Sequence, residues 1–208
     1  MTDSHIEKSI EENWQKLLEK VPTVFNGRCY RLVSYISSDT LHLTLSTLSY
    51  REAKGIPAQY VGNEYSSEYF PNSLCCSILI ESIDNYVIFG KQKKRDLIVG
   101  GAYTPDEIVL TQGQDLFSMA KLELLQETGI TEDVLLSMEL DGCVQTSILN
   151  TALVFHGKTS LTKDEIHMRF LKEHDPEFDS LVFIKRDLLK DYFQMNHPTK
   201  MPILECLH

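Results

Sequence analysis

Glu123 and Glu127 stand four positions apart in the run Leu122-Glu-Leu-Leu-Gln-Glu-Thr-Gly-Ile130, with Gln126 three positions after the first of them. On a helix this spacing stacks the two carboxylates on one face, a turn apart, with the Gln126 amide beside them. Like charges so placed repel unless a cation lies between them. Mg²⁺ is a hard cation that takes carboxylate and water oxygens, commonly one or two protein carboxylates completed by substrate phosphates. Glu123, Glu127 and Gln126 are therefore candidate metal ligands, with Mn²⁺ as a substitute for Mg²⁺. A plainer reading competes: Glu is a good helix former, and glutamates at this spacing often do no more than solvate a helix face. Spacing alone leaves both readings open.

A helix has to present these groups, and the pattern predicts one from Asp115 to Thr128, ending at Gly129 where a C-cap favours glycine. Leu116, Met119, Leu122 and Leu125 are expected on its opposite face, anchoring it to a sheet. Ahead of it, Asp96-Leu-Ile-Val99 runs into Gly100-Gly101, and the short apolar runs Leu74 to Ile80 and Tyr86 to Phe89 flank a turn at Asp84-Asn85. That arrangement reads as a buried antiparallel pair followed by a further strand. After the helix come strands near Leu140–Ile148, Ala152–His156 and Leu181–Ile184, a helix opened by the capping box Thr162-Lys-Asp-Glu165, and a last helix from Asp187 to Gln194. Ile6, Ile10, Trp14, Leu17 and Leu18 recur at helical spacing near the start, and alternating runs at Tyr30–Ile36 and Leu41–Leu48 read as a hairpin. Residues 1–70 thus form a helix and hairpin lobe, with Tyr50 to Pro71 as a connector, and 71–208 form the main domain. Strands interleaved with helices imply a mixed sheet covered by helices.

Bulk properties narrow the class of function. At 208 residues, with 42% hydrophobic and 24% charged residues, the chain fits one domain with an added lobe. Its longest apolar stretch, Leu74 to Ile80, is far short of the roughly 20 residues that cross a bilayer, and the first residues carry no secretory pattern. Five cysteines without a C-x-x-C pair argue against a disulfide framework or a structural zinc site. A cytoplasmic setting is the expectation. The net charge of −10 disfavours nonspecific binding of nucleic acid or anionic membrane, since phosphate affinity grows with neutralising cations.

A strand ending in Gly100-Gly101, a loop, and a helix closing in Glu-Thr-Gly-Ile130 together resemble the Nudix box, G-x5-E-x7-R-E-U-x-E-E-x-G-U with U apolar. The matching positions are Glu123, Leu124, Glu127, Gly129 and Ile130. Leu122 stands where the box has Arg, Gln126 where it has the first Glu of a pair, and Gln114 where it has the leading Glu. Gly101 and Glu123 are 22 positions apart, seven more than in the box, so the loop holds an insertion. Within the superfamily the chain is similar to a divergent branch that hydrolyses UDP-glucose and UDP-galactose. That likeness takes in Phe25 to Ser34, Leu43 to Gly55, Tyr86 to Lys91 and Val99 to Gly101.

The resemblance implies an α/β/α Nudix sandwich preceded by the lobe, and an enzyme that splits the diphosphate of a nucleoside diphosphate derivative. It also implies further site residues. Glu177, in the acidic loop Glu173-His-Asp-Pro-Glu177, lies where Nudix enzymes often keep a late carboxylate, a ligand or base; an ordinary charged loop is the plain alternative. Lys91, with Gly100 and Gly101, is a candidate contact for the diphosphate, against the plain reading of a solvated hairpin tip. Tyr50 and Arg51 fall in the part matching the extra lobe, where an aromatic ring stacks on a base and an arginine forks onto phosphate, or where both serve as scaffold. His42, His156 and His167 have no partner spacing and read as structural. Many Nudix proteins pair, so a homodimer is compatible. The loss of the box Arg and of one carboxylate favours an alternative, a Nudix-like binding module that senses a nucleotide or holds a protein with little turnover.

Overall fold

The computed structural model describes residues 4–56, 71–92, 95–111, 113–145, 150–173 and 178–196. Its contacts divide the chain into two compact units, one of Met1–Cys75, Ala102–Val109 and Gln145–Thr151, the other of Cys76–Gly101, Leu110–Val144 and Ala152–His208. Among the described residues no helix is long and apolar enough to cross a membrane.

In the first unit, helix α1 (Ser4–Lys20) buries Ile6, Ile10 and Trp14, one residue per turn along a single stripe. Strands β1 (Arg28–Ser37) and β2 (Leu41–Ser49) form an antiparallel pair running from Arg28↔Ser49 to Ser37↔Leu41, irregular between Leu32 and Ser34. The connector expected from Tyr50 onward begins instead as a short helix, α2 (Tyr50–Gly55). Ser49 starts it: its hydroxyl accepts from the Glu52 N–H at 3.2 Å, and the Glu52 carboxylate accepts from the Ser49 N–H at 2.7 Å. Six residues are too few to show a helical period, so only this reciprocal cap marks the helix in the sequence.

Residues 102–109 also lodge in this unit. Tyr103 is fully buried; its N–H donates to the Leu74 carbonyl at 3.0 Å and its carbonyl accepts from the Tyr30 N–H at 2.9 Å. The extra residues between Gly101 and the glutamate helix thus have a structural use: instead of running straight into the helix, the chain detours to fill the core of the N-terminal unit.

The second unit is built on a six-stranded mixed sheet in the order β5-β4-β3-β7-β6, with β8 paired to β4. Its strands are β3 (Leu74–Glu81), β4 (Tyr86–Gln92), β5 (Arg95–Leu97), β6 (Leu135–Gln145), β7 (Thr151–Thr159) and β8 (Ser180–Lys185). Consecutive residues Ile78, Leu79 and Ile80 are all buried. Successive side chains in a strand point to opposite faces, so the sheet is covered on both. Leu79, Val87, Phe89 and Val154 pack with Leu189 and Phe193 of helix α5 (Leu189–Asn196) on one side. On the other, Phe117 of helix α3 (Gly113–Thr128) meets Phe155 edge-on with centroids 5.2 Å apart. Helix α4 (Lys163–Glu173) opens with the expected capping box: the Glu165 carboxylate accepts from the Thr162 N–H at 2.8 Å, and Thr162 Oγ1 accepts from the Glu165 N–H at 3.4 Å.

Candidate active site

The buried stripe of α3 is Leu116, Met119, Ala120, Glu123, Leu124, Glu127 and Thr128, positions that recur at three and four and so share one face of a helix. The two glutamates therefore lie within the packed face rather than opposite it. This corrects the expected anchor: Leu116 and Met119 are buried, but on the glutamates' own side, while Leu122 is half-buried and Leu125 is 36% exposed. At 100° per residue, positions 122 and 125 fall nearly opposite the centre of the stripe, which Leu116 and Glu127 occupy.

Glu123 is 9% exposed and Glu127 only 2%, and both carboxylates face the Gly100-Gly101 loop. The Gly100 N–H donates to Glu127 Oε2 at 2.6 Å. Gly101 abuts the other acid so closely that a Cβ there would overlap the Glu123 carboxylate. Gly100 has φ +137°, and a Cβ on it would collide with the Cys76 carbonyl; a left-handed backbone pressed against a strand admits only glycine. The loop is stitched to β3 on either side, by the Cys76 N–H to the Gly101 carbonyl at 2.9 Å and the Ile78 N–H to the Val99 carbonyl at 2.7 Å. Helix and loop thus bring Gly100, Gly101, Glu123 and Glu127 into one small, largely dry site. Gly129, at φ +73°, closes the helix just beyond, its N–H donating to the Leu125 carbonyl at 2.8 Å.

Other sequence candidates fall elsewhere. Gln126 is exposed, on the flank of α3 that turns away from the stripe. Lys91 is exposed near the end of β4, in register with Asp96 of β5 and Ser180 of β8. Glu177 lies outside the described residues; Phe178, which follows it, is buried, and the Asp179 N–H donates to the Lys91 carbonyl at 2.7 Å. Tyr50 and Arg51 belong to the first unit, where Tyr50 meets Trp14 edge-on at 6.5 Å and Arg51 pairs with Glu11 at 2.8 Å. Burial first, and the neighbouring Cys29 second, push the Tyr50 hydroxyl above its usual pKa.

Two features had no signal in the sequence. Glu81, 3% exposed at the end of β3, is ion-paired with Arg186, and His156 Nε2 lies 3.8 Å from the same carboxylate. These residues are distant along the chain, so no spacing announces them. A cavity of about 470 Å³ opens between α3 and β6, lined by Phe117, Lys121, Glu132, Leu135 and Met138 among others. Lys121 and Phe117 sit on the side of α3 away from the glutamates, so this cavity is separate from the Gly-Gly site.

As a donor set, the site is oxygen only: two carboxylates held one helical turn apart beside a glycine loop, which suits a hard divalent cation. Among the described residues no three His, Cys, Asp or Glu side chains converge as a metal cage.

No protein-family model and no curated protein matches the sequence. Among solved structures the chain is similar to Tm1382, a protein assigned as a Nudix hydrolase, with 14% identity, 93% of this chain and 94% of that one covered, and a TM-score of 0.52. It is also similar to a Nudix hydrolase from Nitrosomonas europaea, with 18% identity, coverage of 65% and 88%, and a TM-score of 0.44. A third likeness is to the Nudix domain of Shewanella oneidensis NrtR, solved with ADP-ribose, with 14% identity, coverage of 72% and 95%, and a TM-score of 0.44. Identities this low speak for the fold alone, and the likeness to Tm1382, which spans nearly all of both chains, carries it: the chain has the Nudix α/β fold with a mixed sheet.

Proposed function

We propose that this chain is a Nudix-type pyrophosphohydrolase that splits the diphosphate of a nucleoside diphosphate derivative, a UDP-sugar above all, with Mg²⁺ bound at Glu123 and Glu127. The observation that carries the reading is the burial of two neighbouring carboxylates against a glycine loop in a chain of this fold. Like charges close together in a low dielectric are costly, and a divalent cation reconciles them. Bound there, Mg²⁺ supplies a Lewis acid for phosphoryl oxygens and lowers the pKa of a coordinated water.

The chain's own groups do the rest. The Gly100 N–H fixes one oxygen of Glu127 and so sets the direction of the other. Gly100 and Gly101, lacking side chains, let a diphosphate approach the backbone, and Lys91 is the cation we assign to it. Glu177 is proposed as a further carboxylate, a base or ligand. In-line attack of water on one phosphorus breaks the P–O–P bridge and releases a nucleoside monophosphate; UDP-glucose would yield UMP and glucose 1-phosphate.

A second reading, a nucleotide-binding module of low turnover, draws on the exposure of Gln126 and on the lack of a three-residue acid cluster among the described residues. Incubating the pure protein with Mg²⁺ and a panel of nucleotide sugars, ADP-ribose and dinucleoside polyphosphates separates the two. Hydrolysis predicts monophosphate release that falls by at least about a hundredfold in Glu127→Gln, a loss of roughly 2.7 kcal/mol of transition-state stabilisation. Thermal stabilisation by a nucleotide without any product would overturn it in favour of the binding module.

A further inference from the structure

We propose that the cavity between α3 and β6 is a binding site for a zwitterion with an apolar body, an aromatic α-amino acid. The cavity measures about 470 Å³, within the size range of sites that enclose a small molecule. Its walls are of two kinds. Phe117 of α3, with Leu135 and Met138 of β6, supplies apolar surface, and each of the three is only half-buried. Lys121 of α3 and Glu132, in the turn before β6, supply one charge of each sign and are ion-paired with each other. All five residues belong to the second unit.

The charged pair lies toward solvent, with side-chain exposures of 31% for Lys121 and 72% for Glu132. An ion pair so exposed adds little to stability, because water screens it and two long side chains are ordered to make it. A ligand that brings its own carboxylate to Lys121 and its own ammonium to Glu132 exchanges this one weak pair for two charge-assisted contacts. The two protein charges touch, so the ligand's charges must also be close together, as they are in an α-amino acid, where one carbon separates them. A lone anion would be repelled by Glu132, and a lone cation by Lys121. The apolar walls set the rest of the ligand. Phe117 already meets Phe155 edge-on, and an aromatic ring and a thioether sulfur both favour a further ring beside them. That ring would cover apolar surface which the fold leaves half open. Lys121 and Glu132 have no part in the proposed hydrolysis, and occupancy is read without substrate or metal, so the site stands or falls apart from the hydrolase reading.

The experiment follows the Met138 methyl of the full chain by ¹H–¹³C NMR while L-phenylalanine is titrated in, without metal. The expected result is a saturable shift. Phenethylamine and hydrocinnamate, which each lack one of the two charges, are expected to bind weaker by about tenfold or more. Glycine, which keeps both charges and has no ring, is expected to bind weaker still. Lys121→Met and Glu132→Gln each remove one protein charge and should weaken L-phenylalanine by about tenfold; should either variant not fold, the analogue series decides alone. An unmoved methyl, a single-charge analogue that binds as tightly as L-phenylalanine, or undiminished binding in the two folded variants would each overturn the proposal.

Discussion

Glu81 and the pair Glu123–Glu127 are all buried acids of the same unit, yet their surroundings follow opposite designs. Glu81, at the end of β3, is met by the guanidinium of Arg186, with His156 alongside. Its charge is answered from within the chain, and the cluster ties the end of β3 to the middle of β7 and to the turn that follows β8. Glu123 and Glu127 instead face a loop of two glycines, from which Gly100 lends one N–H to Glu127. Taking a carboxylate out of water is unfavourable unless it is paired or bonded. Where the partner is a fixed arginine, burial makes a clamp; where two acids are buried against a glycine loop, burial makes the place at which we propose a cation.

Breaking the clamp should give the largest effect on folding. Arg186→Met removes the partner of Glu81 and strands a buried charge, so denaturant unfolding is expected to show a loss of about 3 kcal/mol or more, which added Mg²⁺ does not restore. A variant within a few tenths of the natural protein would erase the contrast. Gly101→Ala tests the other site: the new methyl overlaps the Glu123 carboxylate, and relief by shifting loop or helix should lower stability by about 1–3 kcal/mol. Because the same shift spreads the two glutamates, any Mg²⁺-dependent turnover should fall with it, and a variant that keeps full turnover would show that the close approach of Gly101 is incidental.

The smallest effect belongs to an acid of a third kind. Glu165 is fully exposed, and hydrogen bonds from the Thr162 N–H and hydroxyl hold its carboxyl below the ordinary glutamate pKa. A group whose pKa is depressed in the folded state adds stability above its unfolded pKa, and that stability is lost as pH falls through the folded value. Melting temperature should therefore show a slight acid-side decline traceable to this cap, removed in Glu165→Gln. An acid limb unchanged by that substitution would assign the decline to other carboxylates.

How much of this was legible beforehand depended on range. The α1 stripe, the β1–β2 pair, the Thr162 box and the stop at Gly129 are all written in residues a few positions apart, where helical or strand period and capping chemistry act. The juxtaposition of Glu123 with Glu127 was equally local. Their burial was not, because the seven apolar and polar positions of the α3 stripe read as two faces until a sheet selects one. The α2 helix was hidden by its length, and the use of the Gly101–Glu123 insertion by the distance to its partners, Tyr30 and Leu74.

The amino-acid sequence alone determined most of the elements, α2 excepted, the pairing of two acids on one turn and the glycines they need, since these rest on interactions between near neighbours. Only the tertiary structure decided that the acids face inward against the Gly100–Gly101 loop and that Glu81 finds Arg186 across the sheet. Those outcomes depend on which surfaces the fold removes from water, and burial is a property of the whole assembly of elements that no local spacing encodes.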